Sequence, residues 1–456
     1  MALRCRPSFG REAWVVDGFP MTTSGPRASS SLNLISDAVC ARCGCACDDI
    51  ELLVEANRVR EARNACPMGA EWFLASPEAG LPKALIGGRE ASLDAAVAEA
   101  GRILSEARFP LVHGLANATC EAQRVAVSIA DRIGACLDTA MPLHRGLSGM
   151  AFQGVGEIHC SLGEVKNRAD LVIFWGCDPG RTHPRHGERY SIGAKGLFTP
   201  LGRQSRRIAH VDLLPDSSGL NPDLFVPLEQ GKDFEALWTL RALLRGHEIP
   251  AGACPGAPLE ALRALSDAMK GSRFGVLFLG TGTSSAADSH MVVDAALAMA
   301  LDLNRHSRFY VSPMRGGGNP AGADNVVTWQ TGYPFGVHLG RGYPRFNPGE
   351  FSTEEVLSRG EADAALVVAA DPASELNPAA RKHLAEIGVV ALDYGETETT
   401  RSARVSFMLA PYGLATPGTI YRMDDVSLPA RPAVRSAYPS AEEVLRGIAR
   451  AVGALP

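Results

Sequence analysis

Five cysteines crowd into residues 40–66, as Cys40-Ala41-Arg42-Cys43-Gly44-Cys45-Ala46-Cys47-Asp48-Asp49-Ile50 followed by Cys66 in Asn64-Ala65-Cys66-Pro67-Met68-Gly69. No other stretch restricts the fold as much. Thiols spaced C-x2-C-x3-C converge only if the backbone turns tightly about one centre, and Cys66 then arrives late as a fourth donor. The spacing leaves the occupant open between a [4Fe-4S] cluster, Zn, and packed thiols without metal. Cys45 stands out of register with Cys40, Cys43 and Cys47 and reads as a spare small residue.

A chain of 456 residues exceeds one ordinary core, so two to four domains are expected. Lys and Arg number 45 against 50 Asp and Glu, a net charge of -5, and no basic block or finger-like His/Cys spacing occurs. A nucleic-acid partner is thereby excluded from the expectations. No run approaches 18 apolar residues, so no membrane span is expected, and residues 1–30 lack the pattern of a secretory signal. Cysteine usage suits a reducing cytoplasm. Residues 1–30 mix Arg, Gly, Pro and Ser without period and are read as a flexible tail, in which Met21 could be the true start.

Residues 31–75 read as a small cysteine-rich lobe, with a hairpin of Ile50–Glu55 and Arg58–Arg60 turning at Ala56-Asn57. Beyond about Ala91 helices alternate with apolar strands. Pro110–Gly114, Leu171–Gly176, Ile208–Asp212, Phe274–Leu279, Arg308–Ser312, Ala364–Pro372 and Val389–Asp393 are the expected strands; helices are expected over 92–106, 120–133, 233–244, 259–269, 288–299, 378–387 and 441–452. Buried strands bounded by helices imply doubly wound α/β sheets. The expected division is a discontinuous α/β domain of residues 76–150 and 300–456 and a Rossmann-like α/β domain of residues 151–299. Gly280-Thr281-Gly282-Thr283-Ser284-Ser285 lacks a Walker lysine and GxGxxG spacing, and reads as a tight turn rather than a ligand loop. No G-x-S-x-G elbow supports a Ser-His-Asp hydrolase. Cys120 and Cys177 read as buried thiols, and His183 with His186 lack a third convergent ligand for zinc.

Several motifs together carry a resemblance. The cysteine lobe, Thr119-Cys120-Glu121-Ala122-Gln123, Gly163-Glu164-Val165-Lys166-Asn167-Arg168-Ala169-Asp170, Trp175-Gly176-Cys177-Asp178-Pro179, His183-Pro184-Arg185-His186, Pro313-Met314-Arg315-Gly316, Thr331-Gly332-Tyr333-Pro334 and Tyr343-Pro344-Arg345-Phe346-Asn347-Pro348-Gly349-Glu350 resemble the B subunit of formylmethanofuran dehydrogenase, of the molybdopterin oxidoreductase class, in the same order from about Val39 to Val452. The resemblance implies a [4Fe-4S] cluster on Cys40, Cys43, Cys47 and Cys66 beside a tungsten or molybdenum bis-pterin guanine dinucleotide centre. In the family a cysteine ligates W or Mo immediately before a histidine. Here the corresponding residues are Leu143 and His144, and leucine cannot coordinate a metal. Two further departures agree: Leu213-Leu214-Pro215-Asp216-Ser217-Ser218 replaces a basic turn that holds the dinucleotide, and Pro417-Gly418-Thr419 replaces a Glu-Gly-Thr turn.

These departures set the W/Mo-pterin cofactor aside and turn the expectation toward the formyltransferase/hydrolase complex of methylotrophic bacteria, which resembles the dehydrogenase without needing its redox step. The resemblance then implies a non-redox structural scaffold alongside formyltransferase, amidohydrolase-like and small barrel-like siblings, with His144 and Arg315 as relics and no catalytic site in this chain. The alternatives are an active W/Mo dehydrogenase subunit and an iron-sulfur electron-transfer module.

Overall fold

The computed structural model describes residues 32–75, 80–139, 151, 154–215, 220–250, 252–253, 255–280 and 289–455. The expectations for residues 1–30, Leu143, His144, Asp216–Ser218 and Thr281–Ser285 fall outside these residues.

The lobe is a three-stranded antiparallel sheet of β1 (Asn33–Ala38), β2 (Ile50–Glu55) and β3 (Arg58–Arg63), followed by helix α1 (Pro67–Leu74). Ala56 and Asn57 both take positive φ, 48° and 62°, the backbone of a tight hairpin turn. β2 alternates, burying Ile50, Leu52 and Val54. The hairpin's return strand runs three residues further than its sequence suggests, because Glu61, Ala62 and Arg63 continue the ladder to Leu53, Leu52 and Glu51.

Five strands form a wholly parallel sheet in the order Leu224–Pro227, Arg207–Asp212, Leu171–Trp175, Phe274–Leu279 and Arg308–Pro313. Leu171–Trp175 and Phe274–Leu279 are buried at every position, as sheets covered on both faces require. The expected boundary at 299/300 is corrected here. It falls inside the helix Ser289–Leu303, and Arg308–Pro313 pairs with Phe274–Leu279, so this sheet extends to Pro313.

A nine-stranded sheet takes its centre from both sides of that insertion: Cys136–Thr139, Pro110–Gly114, Ala364–Val368, Gly388–Asp393 and Val405–Met408 lie parallel, with short antiparallel strands at both edges. The helices Cys120–Ile133 and Ala441–Ala451 pack on it, each begun by a side-chain cap, Thr119 and Ser440. The helix Pro378–Leu384 ends three residues earlier than its pattern suggests, where Ala385–Ile387 turns into the next strand. None of the described helices is long and apolar enough to cross a membrane.

The lobe packs against the five-stranded sheet and against a two-stranded antiparallel sheet of Gly418–Tyr421 and Ser427–Ala430. Cys40, Cys43, Cys45 and Cys47 share a buried cluster with Val172, Phe174 and Phe278 of the five-stranded sheet, while Val39, Ala41 and Ala46 pack with Tyr412 and Ile420. Each fully buried apolar side chain in these contacts contributes about 1.5–3 kcal/mol.

Candidate metal centre and the adjoining arginine cluster

The cysteine loop folds back on itself through backbone bonds, Cys40 N–H to Cys47 C=O at 2.9 Å and Ala46 N–H to Cys43 C=O at 3.1 Å. It then docks outward: Gly318 N–H donates to Ala41 C=O at 3.1 Å and Met423 N–H to Gly44 C=O at 2.9 Å. Pro67 starts α1 directly after Cys66, and the first turn of that helix carries the late thiol inward. The two ends meet at Gly69, where a Cβ would lie 3.2 Å from Cys40 Sγ and 3.7 Å from Cys66 Sγ. A side chain there would fill the space between the thiols.

The thiol environments differ. Burial pushes Cys40 up to about 12, reinforced by Cys43, Cys47 and Cys66 close by, and burial also raises Cys47 against the pull of Arg189. Cys43 is held below the usual thiol range chiefly by the hydrogen bond from Cys45, whose own proton is correspondingly retained. Cys40, Cys43, Cys47 and Cys66, gathered in one lobe, form a soft donor set of the kind that suits a sulfur-ligated metal centre. Among the described residues, the set of His, Cys, Asp or Glu whose donor atoms all lie within 4.8 Å of one another is Glu157, His159 and Asp425, not these thiols.

Arginines brace the lobe from the five-stranded side. Arg185 grips both oxygens of Asp49 at 2.7 Å, and Arg189 reaches Asp48 at 2.7 Å. Burial works to raise the Asp49 carboxyl, and the two guanidinium groups overcome it and leave it below the usual range. His183 ties its own segment to the Arg315 loop, its Nε2 2.7 Å from Arg315 C=O and its Nδ1 2.9 Å from Thr182 Oγ1. His186 bonds Ser191 through Nδ1 at 2.8 Å and lies edge-on to Phe278, with burial pushing its ring down to about 3. Both rings are committed to packing.

Arg315 follows the strand Arg308–Pro313 and is buried, with Nη1 3.0 Å from Asp324 and Nη2 3.6 Å from Glu157. His159 stands between two carboxylates, Nδ1 3.7 Å from Glu157 and Nε2 3.6 Å from Asp425, and Asn325 holds Asp425 at 2.9 Å. With opposite nitrogens facing the two acids, His159 bridges them rather than offering one corner of a chelate. Glu157, His159, Asp324 and Asp425 carry no sequence signal, because they come together from widely separated segments of the chain.

Asn319, buried at the end of the glycine-rich loop Pro313–Pro320, is equally invisible in the sequence as a node. Its Nδ2 donates to Ala118 C=O at 2.9 Å and its Oδ1 accepts from Tyr421 N–H at 2.7 Å. Gln123 adds bonds to Leu115 and Ala118 carbonyls, and Glu121 accepts from Thr419 at 2.8 and 2.9 Å. Thr119-Cys120-Glu121-Ala122-Gln123 thus ties the glycine loop to the Pro417–Tyr421 turn. Cys120 is buried near Asn319, and Cys177 lies 3.5 Å from Phe278 C=O. Pro417 borders a 490 Å³ cavity with Thr119, Tyr394, Tyr412 and Tyr438.

Over 410 residues, 88% of this chain and 94% of the relative, the sequence is 37% identical to the B subunit of the tungsten-containing formylmethanofuran dehydrogenase 2 of Methanocaldococcus jannaschii. The chain belongs to the family of formylmethanofuran dehydrogenase B subunits. The corresponding Methanococcus maripaludis protein is 36% identical over 412 residues, covering 89% of this chain and 95% of that one. The B subunit of the formyltransferase/hydrolase complex Fhc of Methylorubrum extorquens is 27% identical over 299 residues, 64% of this chain and 75% of that protein. No family model matches the chain. Among solved structures, the formyltransferase/hydrolase complex FhcABCD of Methylorubrum extorquens with methylofuran aligns with a TM-score of 0.67 at 23% identity, over 81% of this chain and 98% of that one. Acetylene hydratase of Pelobacter acetylenicus aligns with a TM-score of 0.65 at 12% identity, over 92% and 69%. The fold of this formylmethanofuran dehydrogenase family member is accordingly that of the molybdopterin oxidoreductase class.

Proposed function

We propose that this chain is a non-redox scaffold subunit of a formyl-transferring and formyl-hydrolysing complex in one-carbon metabolism, acting on formyl-tetrahydromethanopterin through a methanofuran analogue. Leu143 carries the reading. A branched alkyl side chain at the position where the resemblance expects the W or Mo thiolate has no lone pair to give a metal. The Arg315 cluster supports it: a guanidinium already faced by Asp324 and Glu157 has little charge left for a carboxylate-like substrate. On this reading formyl transfer and formamide hydrolysis belong to sibling subunits, as the name of the related Fhc complex suggests.

Cys40, Cys43, Cys47 and Cys66 would hold an iron-sulfur cluster in the lobe, where it would supply a cross-link and one-electron chemistry. The chain's own groups do the remaining work: the Gly44 and Ala41 carbonyls pin the lobe to both neighbouring segments, and Arg185 and Arg189 hold its acidic edge. The 37% identity with the tungsten enzyme favours a second reading, an active dehydrogenase subunit with a different metal ligand. Elemental analysis of the purified complex decides between them. Fewer than about 0.1 W or Mo per chain, no extractable pterin, and formate release without dye reduction are expected. Stoichiometric W or Mo with formate-forming dye reduction would sink the scaffold reading.

A further inference from the structure

The turn Gly196–Gly202 holds three large apolar side chains out in water: Leu197, Phe198 and Leu201 are 76%, 53% and 63% exposed. Such exposure usually accompanies a loose loop, but this one is cross-braced. Leu197 N–H donates to Asn167 Oδ1 at 3.0 Å, Phe198 N–H to Asn167 C=O at 2.9 Å, and Thr199 Oγ1 to Lys166 C=O at 2.8 Å. Buried Arg206 ties the Lys166 carbonyl at 2.6 Å and Thr199 Oγ1 at 3.0 Å, and also bonds Ala194. The turn is thus stitched to the end of the helix Leu162–Arg168. Its apolar groups are fixed before any partner arrives, which lowers the entropy lost on binding.

The rim has one sign. No Asp or Glu occurs between Gly193 and Val211. Exposed Lys166, Arg168, Lys195 and Arg207 surround the turn, with the Arg168 guanidinium 5.3 Å from the Phe198 ring. Nearby acids are engaged elsewhere: Glu164 in the capping box with Ser161, Asp170 with Arg273, and Asp223 with Arg203.

We propose that the Gly196–Gly202 turn, with its basic rim of Lys166, Arg168, Lys195 and Arg207, is a docking site for an acidic face of another protein subunit that carries an apolar pocket. The charge rim selects an acidic surface, and the three fixed side chains supply a desolvated centre. A stitched turn suits a rigid protein wall, whereas binding in a membrane interface draws on a long amphipathic helix. The site deepens the scaffold reading and rests on it, since it presumes that the chain works inside a hetero-oligomer.

The test uses the purified complex and zero-length carbodiimide coupling, which joins amines only to carboxylates in contact. Lys166 and Lys195 are expected to couple to Asp or Glu of a different subunit, and hydrogen exchange over 194–204 to be slowed at least tenfold relative to the isolated chain. Lys166→Glu with Lys195→Glu should weaken assembly at least tenfold and reduce its salt dependence, and Leu197→Ser with Leu201→Ser should weaken it as much while keeping the salt dependence and the melting temperature of the chain. Coupling only within the chain or to a second copy of it, unchanged assembly of the variants, or capture of the complex on anionic phosphatidylglycerol vesicles would each overturn the site. If the complex is intact and this turn stays free, only the docking site falls. Should no sibling subunit copurify at all, the scaffold reading falls with it.

Discussion

The cysteine lobe and the Arg315 cluster meet at one glycine loop, Pro313–Pro320, and they present different chemistry. The lobe retains four thiols, a glycine that leaves room between two of them, and bonds to both neighbouring segments. The arginine cluster retains its guanidinium but surrounds it with Asp324 and Glu157, while the residue expected to ligate W or Mo is Leu143. One side is organised to receive a charged centre and the other is already neutralised from within. The lobe also packs against the five-stranded sheet and the strand Gly418–Tyr421, whereas the Arg315 cluster is closed on itself as an ion-pair network.

That contrast can be broken by removing its charged partner. Arg315→Met leaves Asp324 and Glu157 without their counter-charge and is expected to cost about 3–5 kcal/mol, read as a fall in the urea midpoint of the chain. If Arg315 were instead held for substrate, stability would barely move while the formate-forming rate of the complex collapsed.

Gly44→Ala attacks the seam between the two regions. A methyl there meets the Arg315 carbonyl, which belongs to backbone and cannot swing aside. A loss of about 1–3 kcal/mol is expected, together with faster proteolysis in the lobe. An unchanged melting temperature and protease map would show that the lobe does not depend on this contact.

Protonation sharpens the comparison on the sheet behind the cluster. His113, bonded to Thr353 at 2.7 Å, is driven down to about 4 by burial, so it stays neutral when folded while the unfolded chain takes a proton below about 6.5. Its contribution is therefore lost as pH falls from about 6.5 toward 4, by about 2 kcal/mol at pH 5. Asp138, beside the same threonine, is raised by burial to about 7 and works in the opposite sense, its contribution present at low pH and lost as pH rises through 7. Denaturant titrations should show His113→Gln losing less stability than the parent between pH 7 and 5, and Asp138→Asn losing less between pH 5 and 8. Parallel pH profiles for parent and variants would show that neither group titrates as the geometry requires.

The smallest effect belongs to the half-exposed edge of the lobe. Asp49→Asn weakens a two-pronged pair with Arg185 and is expected to cost at most about 1 kcal/mol, less in high salt. A larger, salt-insensitive loss would make the arginine clamp a main support of the lobe.

Local pattern went far in this chain. Alternation in Ile50–Glu55, the apolar runs Leu171–Trp175 and Phe274–Leu279, and the caps Ser92, Thr119 and Ser440 are decided by nearest neighbours, so their elements are legible in the sequence. The C-x2-C-x3-C spacing and the motif order likewise announced a cysteine lobe and the formylmethanofuran dehydrogenase family, and the substitution at Leu143 needs no structure to be seen. What depended on distant contacts was hidden. Which sheet takes Arg308–Pro313 is settled by pairing with Phe274–Leu279, and the Glu157–His159–Asp425 bridge exists only because the chain returns from far along its length. Asn319 became a node through bonds to Ala118 and Tyr421. Residue type and spacing record the chemistry a segment can offer; the partners that use or silence it are chosen by long-range packing, which no local pattern encodes.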